Sequence, residues 1–219
     1  MPEQPNKVEL IGTYGSDETH ALSAWTSTSR ELTEEKKNRI PSLLKMLAEN
    51  EHHSVFEKSS FHFLVVTDVS THIHILKHRI GVSVNASSAR YKELKDDEYY
   101  VPHDWPQEEQ DSYVLHIEES MKKYHETLDK LVKGGMPRKR AKESARLYLP
   151  YGKQITSDVM FNFRSFVHFL RLRYSTHAQL EVRELAGEML RLVKETGQFD
   201  ATLEAFGLVK DGNIITPFE

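Results

Sequence analysis

The sequence predicts a mixed α/β domain, and three observations carry that prediction. In residues 60–69, Phe61, Phe63 and Val65 alternate with His62, Leu64 and Val66, as in a strand with apolar groups on both faces. Further on, Tyr113, Ile117, Met121, Tyr124, Leu128 and Leu131 recur at steps of three and four, an amphipathic helical stripe ended by Gly134-Gly135. No internal repeat, low-complexity tract or linker interrupts the chain, so a single domain is expected over residues 1–219.

Each element has a local reason. Residues 8–11 read as a short strand, and Gly12 to Gly15 as a turn. Ser16 then caps a helix through Ala21, Leu22 and Trp25, with Asp17 and Glu18 in its first turn. A second helix starts at Thr33 or Glu34 and runs to about Asn50, with Ile40, Leu43, Leu44 and Leu47 on one face and Pro41 kinking it or resetting its start. Residues 51–57 form a loop before the strand already described. Ser70 or Asp68 caps the next helix, which is expected to run through Leu76 into the cationic stretch beyond it. Residues 92–105 read as a loop, and Pro106 suits the first position of the long helix. Another helix opens at Pro137 and ends before Pro150. After Thr156-Ser157-Asp158, residues 162–181 read as a helix whose core stripe is Phe163, Phe166, Val167 and Leu170. Residues 182–194 and 200–206 are helical, and Asp211-Gly212 turns the chain between Leu208-Val209 and Ile214-Ile215.

Composition removes several function classes. Hydrophobic residues make up 38% of the 219 and charged residues 28%, as in soluble globular proteins. A net charge of −4 argues against a general nucleic-acid binder. No apolar run reaches the roughly 18 residues of a membrane span, and the first residues lack a leader pattern, so a cytoplasmic protein with no membrane partner is expected. With no cysteine, disulfides, thiolate metal sites and thiol nucleophiles are excluded. Twelve histidines raise a metal-site alternative built on His52, His53, His74 and His78. It lacks a carboxylate–histidine ligand pattern, so no metal is expected.

Two stretches carry chemistry. The first is Lys77-His78-Arg79, followed by Gly81, Ser83, Asn85, Ser87, Ser88 and Arg90. Charged donors around small residues suit an anion such as a phosphate, with hydroxyls and amides left for a polar ring. A solvated basic helix end followed by a turn has the same composition. In the second stretch, Arg164, His168, Arg171 and Ser175 fall on one helical row, with Asn162 and Arg173 on another, beside the aromatic stripe. Polar rows beside buried aromatics usually have partners.

These stretches resemble the two motifs of the flavin-dependent thymidylate synthases. Lys77-His78-Arg79 is similar to the family's Arg-His-Arg signature, which is followed by seven residues and a Ser, with Lys77 in place of the first Arg. Counting forward from Arg79 assigns that Ser to Ser87. Aligning backwards from Arg90-Tyr91 assigns it to Ser88, which also brings Ser83 and Asn85 into place. The family's Glu before this Ser is absent; Ala86 and Ser87 stand there. Asn162-Phe163-Arg164-Ser165, Arg171-Leu172-Arg173 and His177-Ala178-Gln179-Leu180-Glu181 resemble the second motif, with His168 where Asn is usual.

The resemblance implies the rest of the site. Lys77, His78, Arg79, Asn162, Arg164, His168 and His177 would face the flavin, joined by His52, five residues before Glu57, and Ser54. Ser27, His74 (in place of a Gln), Ser87, Arg90 and Arg146 would face the substrates, with Arg146 and Arg90 on the nucleotide phosphate. Arg173 and Ser88 would stand at the uracil ring. The implied fold places long helices around a curved antiparallel sheet, and the implied assembly is a homotetramer with sites shared between subunits. The implied reaction converts dUMP to dTMP, with carbon from 5,10-methylenetetrahydrofolate and hydride from FAD reduced by NADPH. The missing cysteine agrees: without a thiol to add to the ring, a fixed guanidinium at Arg173 would have to stabilise charge as N3 ionises. An inactive nucleotide- or flavin-binding homologue and a histidine-rich metal hydrolase are the alternatives.

Overall fold

The computed structural model describes residues 5–87, 98–215 and 218. Strands β1 (Lys7–Tyr14), β2 (Ser60–Asp68), β3 (Val82–Ala86) and β4 (Gln154–Asn162) form one sheet in the order β1-β2-β4-β3. The pairings are antiparallel. Between β3 and β4, Asn162 N–H donates to the Gly81 carbonyl while Ser87 N–H donates to that of Thr156, so the numbers run in opposite directions. Between β2 and β4, Val69 N–H donates to Tyr151 and His62 pairs with Asp158 across the strands. The helices are α1 (Asp17–Trp25), α2 (Glu34–Glu49), α3 (Val69–Leu76), α4 (Gln107–Lys133), α5 (Arg138–Ala145), α6 (Phe163–Arg173), α7 (Leu180–Glu195) and α8 (Asp200–Ala205). The mixed α/β class and the antiparallel sheet agree with expectation.

Several boundaries differ from the sequence reading. β1 continues through Gly12, and the turn falls at Gly15, whose φ of +95° and 2.7 Å approach to Ser59 Cβ leave no room for a side chain. β3 and β4 occupy segments to which the sequence reading gave no strand. α3 is capped by Asp68, whose Oδ1 accepts from Thr71 N–H and Ser70 Oγ–H, and it stops at Leu76. His74 and His78 therefore do not share a helical face. Asn162 ends β4 and caps α6 instead of lying inside a helix. Pro41 sits within α2 without ending it.

Residue contacts divide the chain into two compact units: Met1–Lys7, Val66–Ile75 and Asn85–Ser157 form the first, and Val8–Val65, Leu76–Val84 and Asp158–Glu219 the second. In the first, the stripe of α4 is core. Ile117 and Met121 pack with Tyr99 and Val101, and Tyr124 and Leu128 with Ala141 and Ala145 of α5. Full burial of each large side chain contributes roughly 1.5–3 kcal/mol.

The second unit has an aromatic core. Phe56, Phe61, Phe63, Phe161, Phe163, Phe166, Phe169 and Phe199 are fully buried, with edge contacts such as Phe61–Phe166 at 5.2 Å and Phe61–Phe199 at 5.0 Å between centroids. Asp17 accepts from the N–H groups of Ala201 and Thr202, capping α8 from across the unit. β5 (Val209–Lys210) and β6 (Asn213–Ile214) close a hairpin through Asp211 and Gly212, both at positive φ.

Candidate functional site

The site grows from the junction of β4 and α6. Asn162 Oδ1 accepts from Ser165 N–H at 2.8 Å, satisfying one of the helix's open donors. Ser165 Oγ–H donates to the Ile80 carbonyl at 2.7 Å, and Asn162 N–H to that of Gly81 at 3.1 Å. A Cβ on Gly81 would stand 2.3 Å from Ser165 Oγ and 2.4 Å from Asn162 Nδ2, and its φ is +65°. Only glycine lets the segment after α3 lie this close to the first turn of α6. The segment carrying Lys77-His78-Arg79 is thereby fastened to the helix carrying the second motif.

α6 buries Phe163, Phe166, Val167, Phe169 and Leu170, and leaves Arg164, His168, Arg171 and Leu172 exposed. Between that exposed row and the clamped segment lies a cleft of about 710 Å³. Among the described residues it is lined by five Lys or Arg side chains (Lys77, Arg79, Arg164, Arg171, Arg173) and one carboxylate, Glu57. Arg164 Nη1 donates to Glu57 Oε1 at 2.6 Å. Arg173, half-buried at the end of α6, donates from Nε to His78 Nε2 at 3.0 Å. Burial lowers its pKa from the usual arginine value, yet guanidinium keeps its charge at neutral pH. His78 is 7% exposed, edge-on to Phe169 at 5.0 Å and to His168 at 5.7 Å. The concentration of cations suits the cleft to a negatively charged group.

A second cleft, of about 770 Å³, is lined by Ser23, Thr26 and Ser27 at the end of α1, by His52 and Ser54, and again by His53 and Arg164. The Ser27 hydroxyl donates to the Ala24 carbonyl. Residues His53–Glu57 form a 3-10 turn where a loop was expected.

Most expected residues thus gather in the second unit. Lys77, His78, Arg79, Asn162, Arg164, His168 and Arg173 line the first cleft, and Ser27, His52, Ser54 and Arg164 the second. His177 lines neither; it is exposed, and its N–H donates to Ser175 Oγ. His74 on α3, Ser87 and Arg146 belong to the first unit. Ser87 takes part in strand pairing, its Oγ accepting from Thr156 N–H, and Arg146 is exposed in a 3-10 turn, Arg146–Tyr148. Ser88 and Arg90 lie outside the described residues. No three His, Asp or Glu among the described residues are grouped so as to hold a metal ion.

The sequence reading gave none of His53, Glu57, Gly81, Ser165, Arg171, Leu172 and Phe206 a contact of its own, although Gly81, Ser165, Arg171 and Leu172 stand in its two chemistry-bearing stretches and Glu57 in its spacing from His52. Arg171 had a signal, since it shares a helical row with Arg164 and His168. Phe206 had none, because only tertiary packing of the segment after α8 brings it there.

The family described as thymidylate synthase complementing protein matches residues 9–196. A flavin-dependent thymidylate synthase of Thermotoga neapolitana is 30% identical over 206 residues, covering 91% of this chain and 89% of that one. One of Pseudothermotoga lettingae is 31% identical over 194 residues, covering 85% and 84%. The crystal structure of a UMP/dUMP methylase, PolB from Streptomyces cacaoi, bound with 5-Br dUMP, has a TM-score of 0.77 at 26% identity and covers 94% of this chain and 97% of that one. The family match runs from β1 to the end of α7 and takes in both the clamped segment and α6, so this chain belongs to the thymidylate synthase complementing proteins.

Proposed function

We infer that the chain is a flavin-dependent thymidylate synthase, a methyltransferase that converts dUMP to dTMP. The carbon comes from 5,10-methylenetetrahydrofolate and the reducing equivalents from NADPH. The observation that carries this reading is the cationic cleft. Segments 85 residues apart in sequence, at Ile80 and Ser165, are hydrogen-bonded so that both motifs face one space.

The donor set fits FAD. Five cations against one carboxylate suit the charge of a pyrophosphate-linked dinucleotide. FAD, once reduced, supplies the hydride; the protein binds and orients it. Lys77, Arg79 and Arg164 supply charge, and His78, Asn162, His168, His177, His52 and Ser54 supply polar contacts. Arg173 faces the uracil oxygens, stabilising charge as N3 ionises and making C5 nucleophilic without a thiol. Its Nε donates to His78 Nε2 at the wall of the cleft. Ser88 positions the ring, Arg90 and Arg146 hold the phosphate, and Ser27, His74 and Ser87 complete the substrate contacts. Residues 1–219 serve as one catalytic domain, acting in the cytoplasm as a homotetramer with sites shared between subunits. Leu115, Leu147, Tyr148 and Tyr151, all exposed in the first unit, support an assembly that covers them.

The test is the visible absorption of the purified protein. Flavin bands that bleach with NADPH, faster when dUMP is present, and dTMP formed on adding methylenetetrahydrofolate, are the expected result. A colourless protein that takes up no added FAD would overturn the reading, and a flavoprotein that makes no dTMP would leave the inactive homologue in its place.

A further inference from the structure

We propose that Glu57 is a displaceable counter-ion for Arg164: it holds the guanidinium until an anionic ligand takes its place, and so sets how tightly the cleft binds anions. The proposal rests on the reading of this cleft as the flavin's binding space. Among the described lining residues, Glu57 is the one carboxylate against five cations, and it is bound to a single one of them.

The pair has the features of a contact that exchanges readily. Arg164 Nη1 meets Glu57 Oε1 at 2.6 Å, one point of a fork that can make two. No other hydrogen bond of either side chain occurs among the described residues. The side chains are 53% and 35% exposed, and ion pairs so open to water are weak. A phosphoryl group offers the fork two parallel acceptors, so the guanidinium gains a contact by leaving the carboxylate.

The backbone beneath the pair is held in place. Glu57 ends the 3-10 turn His53–Glu57, whose Phe56 is fully buried and stands edge-on to Phe206 at 4.7 Å. Arg164 lies in the first turn of α6, which is fixed by the Asn162 cap. Exchange therefore asks only for side-chain rotation. Glu57 also answers an electrostatic need. Five cations in one cleft repel each other, and Arg164 stands in the first turn of a helix, where the helix dipole disfavours a cation. Once an anion has taken its place, the carboxylate is a like charge nearby, and every bound anion is weakened by a similar amount. A small anion with few contacts then loses its hold, whereas a dinucleotide that also meets Lys77 and Arg79 keeps its own. Glu57 thus screens the cleft against ambient phosphate.

The sign of the effect separates a counter-ion from a residue that merely aims Arg164. Loss of an aiming residue weakens anion binding; loss of a counter-ion strengthens it. The probes are inorganic pyrophosphate and FAD, titrated by calorimetry into the full-length protein at low salt. Glu57→Gln and Glu57→Ala should each bind pyrophosphate about three- to fivefold more tightly than the wild type, the upper range for an exposed ion pair, and the gain should fade at about 1 M salt, where charges are screened. FAD should tighten by a similar factor. In an Arg164→Gln background the gain from Glu57→Gln should fall below about twofold. Weaker or unchanged pyrophosphate binding in either variant, a gain that survives in the Arg164→Gln background, a gain for pyrophosphate without one for FAD, or no pyrophosphate binding to any of these proteins would overturn it. If the wild type and every variant take up no FAD, the functional reading fails by itself, while the pyrophosphate titrations still decide whether Glu57 competes for Arg164.

Discussion

His20 and His78 are both buried against aromatic rings, yet their polar partners differ. His20 is 0% exposed and closed inside the core. Its Nδ1 lies 3.0 Å from Thr202 Oγ1 and its Nε2 2.8 Å from Ser59 Oγ. Thr202 donates its own hydroxyl proton to Asp17 Oδ1, so it must accept from His20 Nδ1–H, and Ser59 donates to Nε2. Every polar atom in that chain is answered from within the unit. His78 makes its hydrogen bond to a cation at a cleft wall. Burial lowers the pKa of His20 to about 4, a large perturbation at a residue with no route to a ligand. A perturbed histidine is therefore a weak guide to function in this chain, and the identity of its partner is a better one.

The largest effect that would sharpen this contrast is Arg173→Ala. Loss of a preorganised charge at the reacting ring should lower dTMP formation per flavin by roughly a thousandfold, while the absorption spectrum still reports bound flavin. Undiminished turnover would break the comparison at the cleft side.

At the core side, the test is pH. His20 has a folded pKa of about 4, below the ordinary 6.5. As pH falls, the unfolded chain takes up the proton first, so the contribution is intact above about pH 6.5 and is lost between there and about pH 4. The separation corresponds to about 3 kcal/mol. Buried His72, whose pKa is also lowered by burial, acts in the same direction. Asp17, raised by burial, acts oppositely as its carboxylate protonates. Urea unfolding at pH 7 and pH 4.5, compared between the wild type and His20→Gln, isolates the His20 share as the part of the slope that disappears.

Gly81→Ala should cost about 2 kcal/mol of stability from the positive φ and the new contacts with Ser165 and Asn162, together with loss of flavin affinity. A thermal shift paired with flavin titration checks both. Smallest should be Thr202→Val, which leaves His20 Nδ1–H without its acceptor at a cost of about 1 kcal/mol and leaves turnover per flavin unchanged.

Local signals made much of the fold legible. Ser16 and Thr33 cap α1 and α2 by accepting from Thr19 and Lys36 N–H, as their side chains predict. The stripe of α4 and the Asp211-Gly212 turn also lie where periodicity and turn chemistry put them. β3 was not legible: Ser83 and Asn85 alternate with Val82, Val84 and Ala86, but the run is short and follows a basic stretch whose composition also fits a helix end and a turn. β4 was hidden because its buried set includes Gln154 and Ser157, so its apolar alternation is broken. The boundary at Asn162 was misplaced because a capping residue and an interior polar residue look alike without knowing that the Gly81 carbonyl stands opposite. In the site, the two motifs contain all five of the cleft's cations, while Phe206 depends on long-range packing that no window of sequence contains.

The clamp between Gly81 and the first turn of α6 has a consequence for how the protein acquires its activity. Its hydrogen bonds join groups 85 residues apart, at Ile80 and Ser165. Closing so long a loop is entropically costly and slow compared with winding a helix. α4, whose bonds are all local, can form early. The cleft comes into being only once β3 has found β4. On refolding from urea, the far-ultraviolet helix signal should therefore recover well before the chain regains its capacity for flavin, and the interval between the two is the time the sheet takes to find its register.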